Sequence, residues 1–233
     1  MQKKKSNIIA FIPAKKNSID LKDKNLKKLK NFSLFELALL GAKKSKFINK
    51  VYLSSDSNLI LKKGKKYEIN LIKRKKSLSN NHASANLVIL DFIKNNIKND
   101  KENNIIVYLQ PTSPFRNHLH IDEAIKVFMK KKMRYLLSVN KSKNFYKSLY
   151  QKKNTLSPFF NNKLISENRQ NLKNIYSPNG AIYIFYASDF IKNKGLTFLK
   201  SGYYIMNNID SIDIDNKEDY ELAKFLSKKY LKI

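Results

Sequence analysis

Ile105-Ile-Val-Tyr-Leu-Gln-Pro-Thr-Ser-Pro-Phe-Arg116 begins with five consecutive apolar residues and ends in a polar turn fixed by two prolines. An apolar run without alternation reads as a strand buried on both faces. Proline cannot continue a ladder, so the chain must turn at Pro111. A helical pattern then runs from Ile121 to Met129. Buried strand, rigid turn and helix form the repeating unit of an α/β sheet.

The same unit recurs on both sides. Asn7 to Pro13 and Lys50 to Ser54 read as strands, with a shorter one at Asn70 to Lys73. Between them, Ser33 to Lys46 carries Leu34, Leu37, Ala38 and Gly41 on one stripe and opens with Ser33 and Glu36, the pattern of a capping box. Ala83 to Lys98 is helical in period. Tyr135 to Val139 and Ala181 to Phe185 read as strands, and Asp215 to Tyr230 as a last helix. The fold expected is a Rossmann-like, mostly parallel sheet with helices on both faces. Residues 141 to 178 interrupt this rhythm. They are polar and Tyr-rich, with Pro158 and Pro178, and read as an inserted arm on one domain spanning 1–233.

Composition limits function. The 233 residues suit one substantial core, and 42% of them are apolar. No apolar run reaches the roughly 20 residues of a membrane span, and the stretch from Ile8 to Pro13 is too short for a signal peptide. The absence of cysteine excludes disulfides and thiolate metal sites. A cytoplasmic protein with no membrane partner is expected. The formal charge of +29 invites a nucleic-acid reading. However, only Arg74, Arg116, Arg134 and Arg169 among 47 basic residues are arginine, and the lysines are scattered. Solvated lysine is therefore the better reading, with no specific nucleic-acid partner. Arginine in such a chain is expected where a planar fork is needed. Arg134 lies outside any motif and reads as a surface residue.

Ligands of open α/β sheets sit beyond the carboxyl ends of the strands. Four polar clusters fall there: Pro13-Ala-Lys-Lys-Asn-Ser, Ser54-Ser-Asp-Ser, Gln110-Pro-Thr-Ser-Pro and Asp213-Ile-Asp. The first is a lysine-rich loop suited to phosphate, or simply to the surface. In the second, Asp56 either caps a helix or meets ligand. In the third, the prolines direct Gln110 and Arg116 toward one place, unless Ser113 merely caps a turn. In the fourth, alternation puts Asp213 and Asp215 on one face with Ile214 behind. Paired carboxylates with substrate phosphates suit Mg²⁺, although Asp215-Asn-Lys-Glu218 also spells a capping box. Gly180, before a strand, permits a close approach. His82, His118 and His120 have no triad or metal-pair context, and the last two are expected to be exposed.

Taken in order, IPA with Ser18, Lys24 and Asn25; SSDS; Arg74 with Leu78 and Ala83-Ser84; LQPTSPFR; Arg169-Gln170; NGAIYI; and DID with Glu218-Asp219 resemble the acylneuraminate cytidylyltransferases, the CMP-sialic acid synthetases. The resemblance runs from Ile8 to about Leu226. It implies a nucleotidyltransferase fold and a homodimer exchanging the arm. It also implies attack of the anomeric C2 hydroxyl of a nonulosonic acid on the α-phosphorus of CTP. By resemblance Lys15, Ser18, Lys24 and Asn25 hold the triphosphate, and Arg74, Ala83 and Ser84 lie near the cytidine. Gln110, Lys147 and Tyr183 face the sugar, with Lys147 reaching across the dimer. Asp213 and Asp215 hold Mg²⁺ and, with Lys24, serve catalysis. The first loop departs from the family: Lys15 replaces Arg, Lys16-Asn17 replace two glycines, and Ile19, Asp20 and Lys22 replace Lys, Gly and Pro. Asn17 is expected to take the left-handed turn, and Asn81 replaces the family's Asp. A nucleotide- or polyanion-binding relative without turnover is the other reading that this loop leaves open.

Overall fold

The computed structural model describes residues 6–80, 83–97, 103–142, 145–196 and 201–232. Its strands are β1 (Asn7–Pro13), β2 (Lys28–Leu29), β3 (Phe32–Ser33), β4 (Lys50–Ser55), β5 (Asn70–Lys73), β6 (Asn104–Tyr108), β7 (Tyr135–Lys141), β8 (Leu149–Lys152), β9 (Thr155–Pro158), β10 (Tyr176–Tyr186) and β11 (Gly202–Ile205). Its α-helices are α1 (Leu34–Lys44), α2 (Asn58–Gly64), α3 (Ala85–Asn96), α4 (His118–Lys130), α5 (Asn162–Ser166), α6 (Ala187–Lys192) and α7 (Lys217–Tyr230).

Seven strands form the main sheet in the order β11-β7-β10-β6-β1-β4-β5. Every pairing is parallel except those of β10, which runs antiparallel to β6 and β7. The period of two in each strand divides the core. On β1, Ile8, Ala10 and Ile12 pack with Phe35 and Leu39 of α1 and Ile121 and Phe128 of α4. Ile9 and Phe11 face the other way, onto Val88 and Phe92 of α3 and Phe190 of α6. Phe11 and Phe92 stack with ring centroids 4.1 Å apart. Each such fully buried side chain contributes about 1.5–3 kcal/mol. A third cluster seats α7 under the site through Ile214, Phe115 and Ala223.

The capping box expected at Ser33 is present: Glu36 accepts from the Ser33 backbone N–H at 3.0 Å and from its hydroxyl at 2.6 Å. Glu36 also takes the Tyr67 hydroxyl at 3.0 Å and the Lys66 ammonium at 2.8 Å. Burial alone would raise its pKa. The Lys66 ammonium, with the Ser33 and Tyr67 donors, outweighs that and holds it at about 2.

Several expectations are corrected. The last helix is capped not by Asp215 but by Asn216, whose side chain accepts from Asp219 N at 2.8 Å. Asp56 does not cap α2, because Ser57 does. Ser113 caps nothing; its hydroxyl is buried without a partner, and α4 starts at an Asn117 cap. His120 is not exposed. Its Nδ1 accepts from Asn117 N at 3.3 Å, and its Nε2 lies 3.3 Å from Asp210. The left-handed residue of the first loop is Asp23, at φ 53°, rather than Asn17. Arg134 is exposed at the surface, as expected, with its guanidinium forked onto Asp189 at 2.5 and 2.6 Å. The segment expected as an arm lies between the end of β7 at Lys141 and the start of β10 at Tyr176. The strand β11, which pairs parallel with β7, was not anticipated. Asn81, His82 and the side chain of Arg169 lie outside what is described.

Candidate active site at the carboxyl ends of the strands

The carboxyl ends of β1, β5 and β6 open onto a cavity of about 270 Å³. The first loop forms one wall, and Lys15 and Ser18 line it. The loop is held from both sides despite its lack of glycine. Asn25 Nδ2 donates to Lys15 O at 2.8 Å, and Lys16 N donates to Asp56 Oδ1 at 2.8 Å. Lys24 crosses the cavity to Asp215, its Nζ 3.1 Å from Oδ1 and 3.3 Å from the backbone oxygen.

Arg74 leaves the end of β5 and lies buried along the wall. Its Nε donates to Ser54 Oγ at 3.2 Å and its Nη2 to Ser54 O at 2.8 Å. Burial pulls its pKa down, while the Asp56 carboxylate opposes that. Leu78, Ala83, Ala85 and Val88 give the same wall an apolar surface, and Asn80 accepts from Ala83 N at 2.9 Å. Ser84 stands just behind as the cap of α3.

The opposite wall joins three motifs. Gly180 has φ +75°, and a Cβ there would lie 2.9 Å from Gln110 Oε1 and 3.0 Å from Asp213 Oδ2. Only glycine lets both side chains approach this turn. The adjacent Asn179 is buried and fully engaged. Its Oδ1 accepts from the Ser138 hydroxyl at 2.5 Å and from Ala181 N at 3.2 Å, and its Nδ2 donates to Ser211 at 2.9 Å. Ile214 N donates to Thr112 O at 2.9 Å, so the Asp213-Ile-Asp215 segment is stitched to the proline turn. The segment is not a strand, yet Ile214 is fully buried, and both carboxylates line the cavity as the alternation implied.

Asp213 Oδ1 is buried with no hydrogen-bond partner. Burial raises the pKa of Asp213; the Thr112 side chain opposes this and the Asp215 charge adds to it. A buried, partnerless carboxylate oxygen beside a second carboxylate suits a hard divalent cation. Among the described residues no cluster of three or more ligating side chains exists, so substrate oxygens would complete the coordination.

Arg116 does not converge with the Gln110 side chain. It is buried in the framework, and its Nη1 donates to Gln110 O and Ala181 O, both at 2.9 Å. Burial lowers its pKa to about 10, against the Asp213 charge. Tyr183 sits beside the cavity on β10, and Lys147 is exposed on the arm, away from this wall.

Residues 9–232 match the sequence family described as Cytidylyltransferase. The chain belongs to this cytidylyltransferase family. An N-acylneuraminate cytidylyltransferase of Escherichia coli O18:K1:H7 is 32% identical over 97% of the chain and 53% of its own length. The chain thus spans about half of that relative. A CMP-N,N'-diacetyllegionaminic acid synthase of Legionella pneumophila is 27% identical over 94% of the chain and 95% of its own length. The structure of CMP:2-keto-3-deoxy-manno-octonic acid synthetase complexed with CTP superposes with a TM-score of 0.73 at 11% identity, covering 96% of this chain and 99% of that one. The fold of the chain is therefore the Rossmann-like nucleotidyltransferase fold.

Sequence reasoning missed three polar residues that line the cavity: Tyr108, Thr112 and Asn80. Thr112 was visible inside the proline motif. Tyr108 carried a signal too, as the one polar tip in the buried run from Ile105 to Leu109.

Proposed function

We propose that this cytidylyltransferase transfers CMP from CTP to the anomeric C2 hydroxyl of a sialic-acid-type nonulosonic acid. The new bond joins the C2 oxygen to the α-phosphorus. The bond from that phosphorus to the bridging oxygen breaks, pyrophosphate leaves, and the hydroxyl proton is released. The observation that carries this reading is the convergence in one cavity of cationic Lys15, Lys24 and Arg74 with the Asp213–Asp215 pair and Gln110.

Lys15, Ser18, Lys24 and Asn25 hold the triphosphate. Lys24, paired with Asp215, is placed to move from its carboxylate to a phosphate oxygen. Arg74, Ala83 and Ser84 bound the cytidine side. Gln110 and Tyr183 face the sugar. Asp213 and Asp215 would hold Mg²⁺, which when bound neutralises phosphate charge and favours ionisation of the hydroxyl. The chain's own part in the reaction is alignment and exclusion of water, which phosphoryl-type transfer chiefly requires.

The arm carries Leu149, Leu156, Phe159 and Phe160 exposed. We read this as a dimerisation arm on a single cytidylyltransferase domain, seated on a second copy of the chain, with Lys147 delivered toward the partner's sugar. Among the described residues no helix is long and apolar enough to cross a membrane.

The test is pyrophosphate release from CTP with N-acetylneuraminic, legionaminic and pseudaminic acids in turn. Release that requires one of these acids and a divalent cation is expected. Release with none of them would remove the reading.

A further inference from the structure

Tyr108 is the last residue of β6 and points to the α3 face of the sheet, where it packs within 6.2 Å of the Phe11 ring. Its cross-strand partner on β10 is Tyr183, and the two ring centroids lie 5.8 Å apart. Tyr108 is 4% exposed, yet it lines the cavity. A buried phenol needs a partner for its hydroxyl. Here the oxygen accepts from Gln110 Nε2 at 3.4 Å. Among the described residues no acceptor takes its proton. The proton is also firmly held. Burial raises the Tyr108 pKa; Gln110 and Arg74 oppose this and the Asp213 charge adds to it. The group is thus a neutral donor, fixed by β6 and left with an unused O–H at the cavity wall.

The neighbours indicate which substrate it meets. Gln110 lies on one side and Tyr183 on the other, and both belong to the sugar half of the proposed site. The hydroxyls of Tyr108 and Tyr183 both feel the Asp213 carboxylate. We propose that Tyr108 is a specificity-determining residue whose hydroxyl donates to an oxygen of the acidic sugar, with Gln110 holding the phenol oxygen in place. The substrate class this fits is a polyhydroxylated carboxylic acid with an acceptor oxygen near its reacting centre. A sugar lacking that oxygen would leave a buried donor unpaired, which is how a hydrogen-bonding site rejects an analogue. The inference rests on the transfer reaction proposed above.

Tyr108→Phe removes one oxygen and keeps the ring, so packing against Phe11 and Tyr183 is retained. Steady-state kinetics are measured for CTP and for the acid best turned over by the wild type, with melting temperature as a control on folding. The expected result is a KM for the acid raised about tenfold, equivalent to 1.4 kcal/mol, with the KM for CTP within about twofold of wild type. An unchanged KM for the acid overturns the proposal. So does a rise confined to CTP, which would place the hydroxyl on the nucleotide. If Tyr108→Phe fails to fold, Tyr108→Trp and isothermal titration of the wild type with the acid deoxygenated at successive positions carry the test. No single deoxy acid binding about tenfold more weakly then counts against it. Absence of turnover by the wild type with every acid removes the transfer reaction itself, and the Tyr108 assignment falls with it.

Discussion

The rim of the sheet and the arm between β7 and β10 draw on the same amino acids, Asn, Lys, Ser and aromatics, with opposite outcomes. At the rim, Asn25, Asn179 and Arg74 are buried, and their hydrogen bonds tie loops together. On the arm, Leu156 is 65% and Phe159 63% exposed, and among the described residues β8 pairs only with β9. A parallel sheet ends its strands at one edge, so polar residues there gather with no further help. A two-stranded hairpin has no second layer of its own to cover its apolar side chains. The rim is therefore held together by its own buried hydrogen bonds, whereas the hairpin leaves Leu156 and Phe159 exposed, which is the basis of the dimerisation proposed above.

The largest expected effect lies at the rim. Asp213→Asn keeps the shape but removes the charge of a carboxylate with a buried, unpartnered oxygen. A loss of about 3 kcal/mol or more in transition-state stabilisation, over a hundredfold in kcat/KM, is expected with unchanged melting temperature. Near-wild-type turnover at limiting Mg²⁺ would separate Asp213 from the metal.

The arm is broken differently. Phe159→Asp should leave the melting of the isolated chain untouched and weaken self-association by about 2 kcal/mol, roughly thirtyfold. Sedimentation equilibrium of both proteins measures this. Equal association constants would mean that the arm's apolar face is not the dimer contact.

Arg74→Lys sharpens the rim further. The guanidinium reaches Ser54 through both Nε and Nη2, and an ammonium cannot reproduce that fork while facing the cavity. The KM for CTP should rise about tenfold. A value within twofold of wild type would leave only the charge important.

The smallest effect concerns the framework. Glu36 has a folded pKa of about 2, below its ordinary 4.5. A depressed carboxylate stabilises the fold above its unfolded pKa. That stabilisation is lost as pH falls from about 4.5 toward 2. Glu36→Gln should lower the melting temperature by roughly 3 °C at pH 7, and the difference should shrink across that acid window. A difference independent of pH would mean that the glutamate acts by packing alone.

Much of the rim was legible because its signals are local. Apolar runs gave β1, β4 and β6, the prolines marked the turn after β6, and alternation placed Asp213 and Asp215 together. What failed was also local, because caps compete. Asn216 with Asp219 outcompeted Asp215 with Glu218, a shift of one residue that leaves Asp215 free to meet Lys24. Arg116 was expected to be directed with Gln110 toward one place; its donors serve two backbone carbonyls, one of them that of Gln110. β11 was missed because its pairing with β7 is long-range and Gly202-Tyr-Tyr-Ile205 is too short to stand out. The polar tip of Tyr108 in the run Ile105 to Leu109 was a signal, but its place beside Tyr183 follows only from the β6–β10 register.

The most direct test of the account is the identity of the product. The wild-type protein, CTP, Mg²⁺ and the preferred acid are incubated, and the nucleotide product is analysed by mass spectrometry beside the released phosphate. The account predicts a CMP-linked acid carrying one phosphorus, formed in equal amount with pyrophosphate, and its near-disappearance in Asp213→Asn. A CDP-linked product, or CTP consumed with no sugar attached, would contradict it.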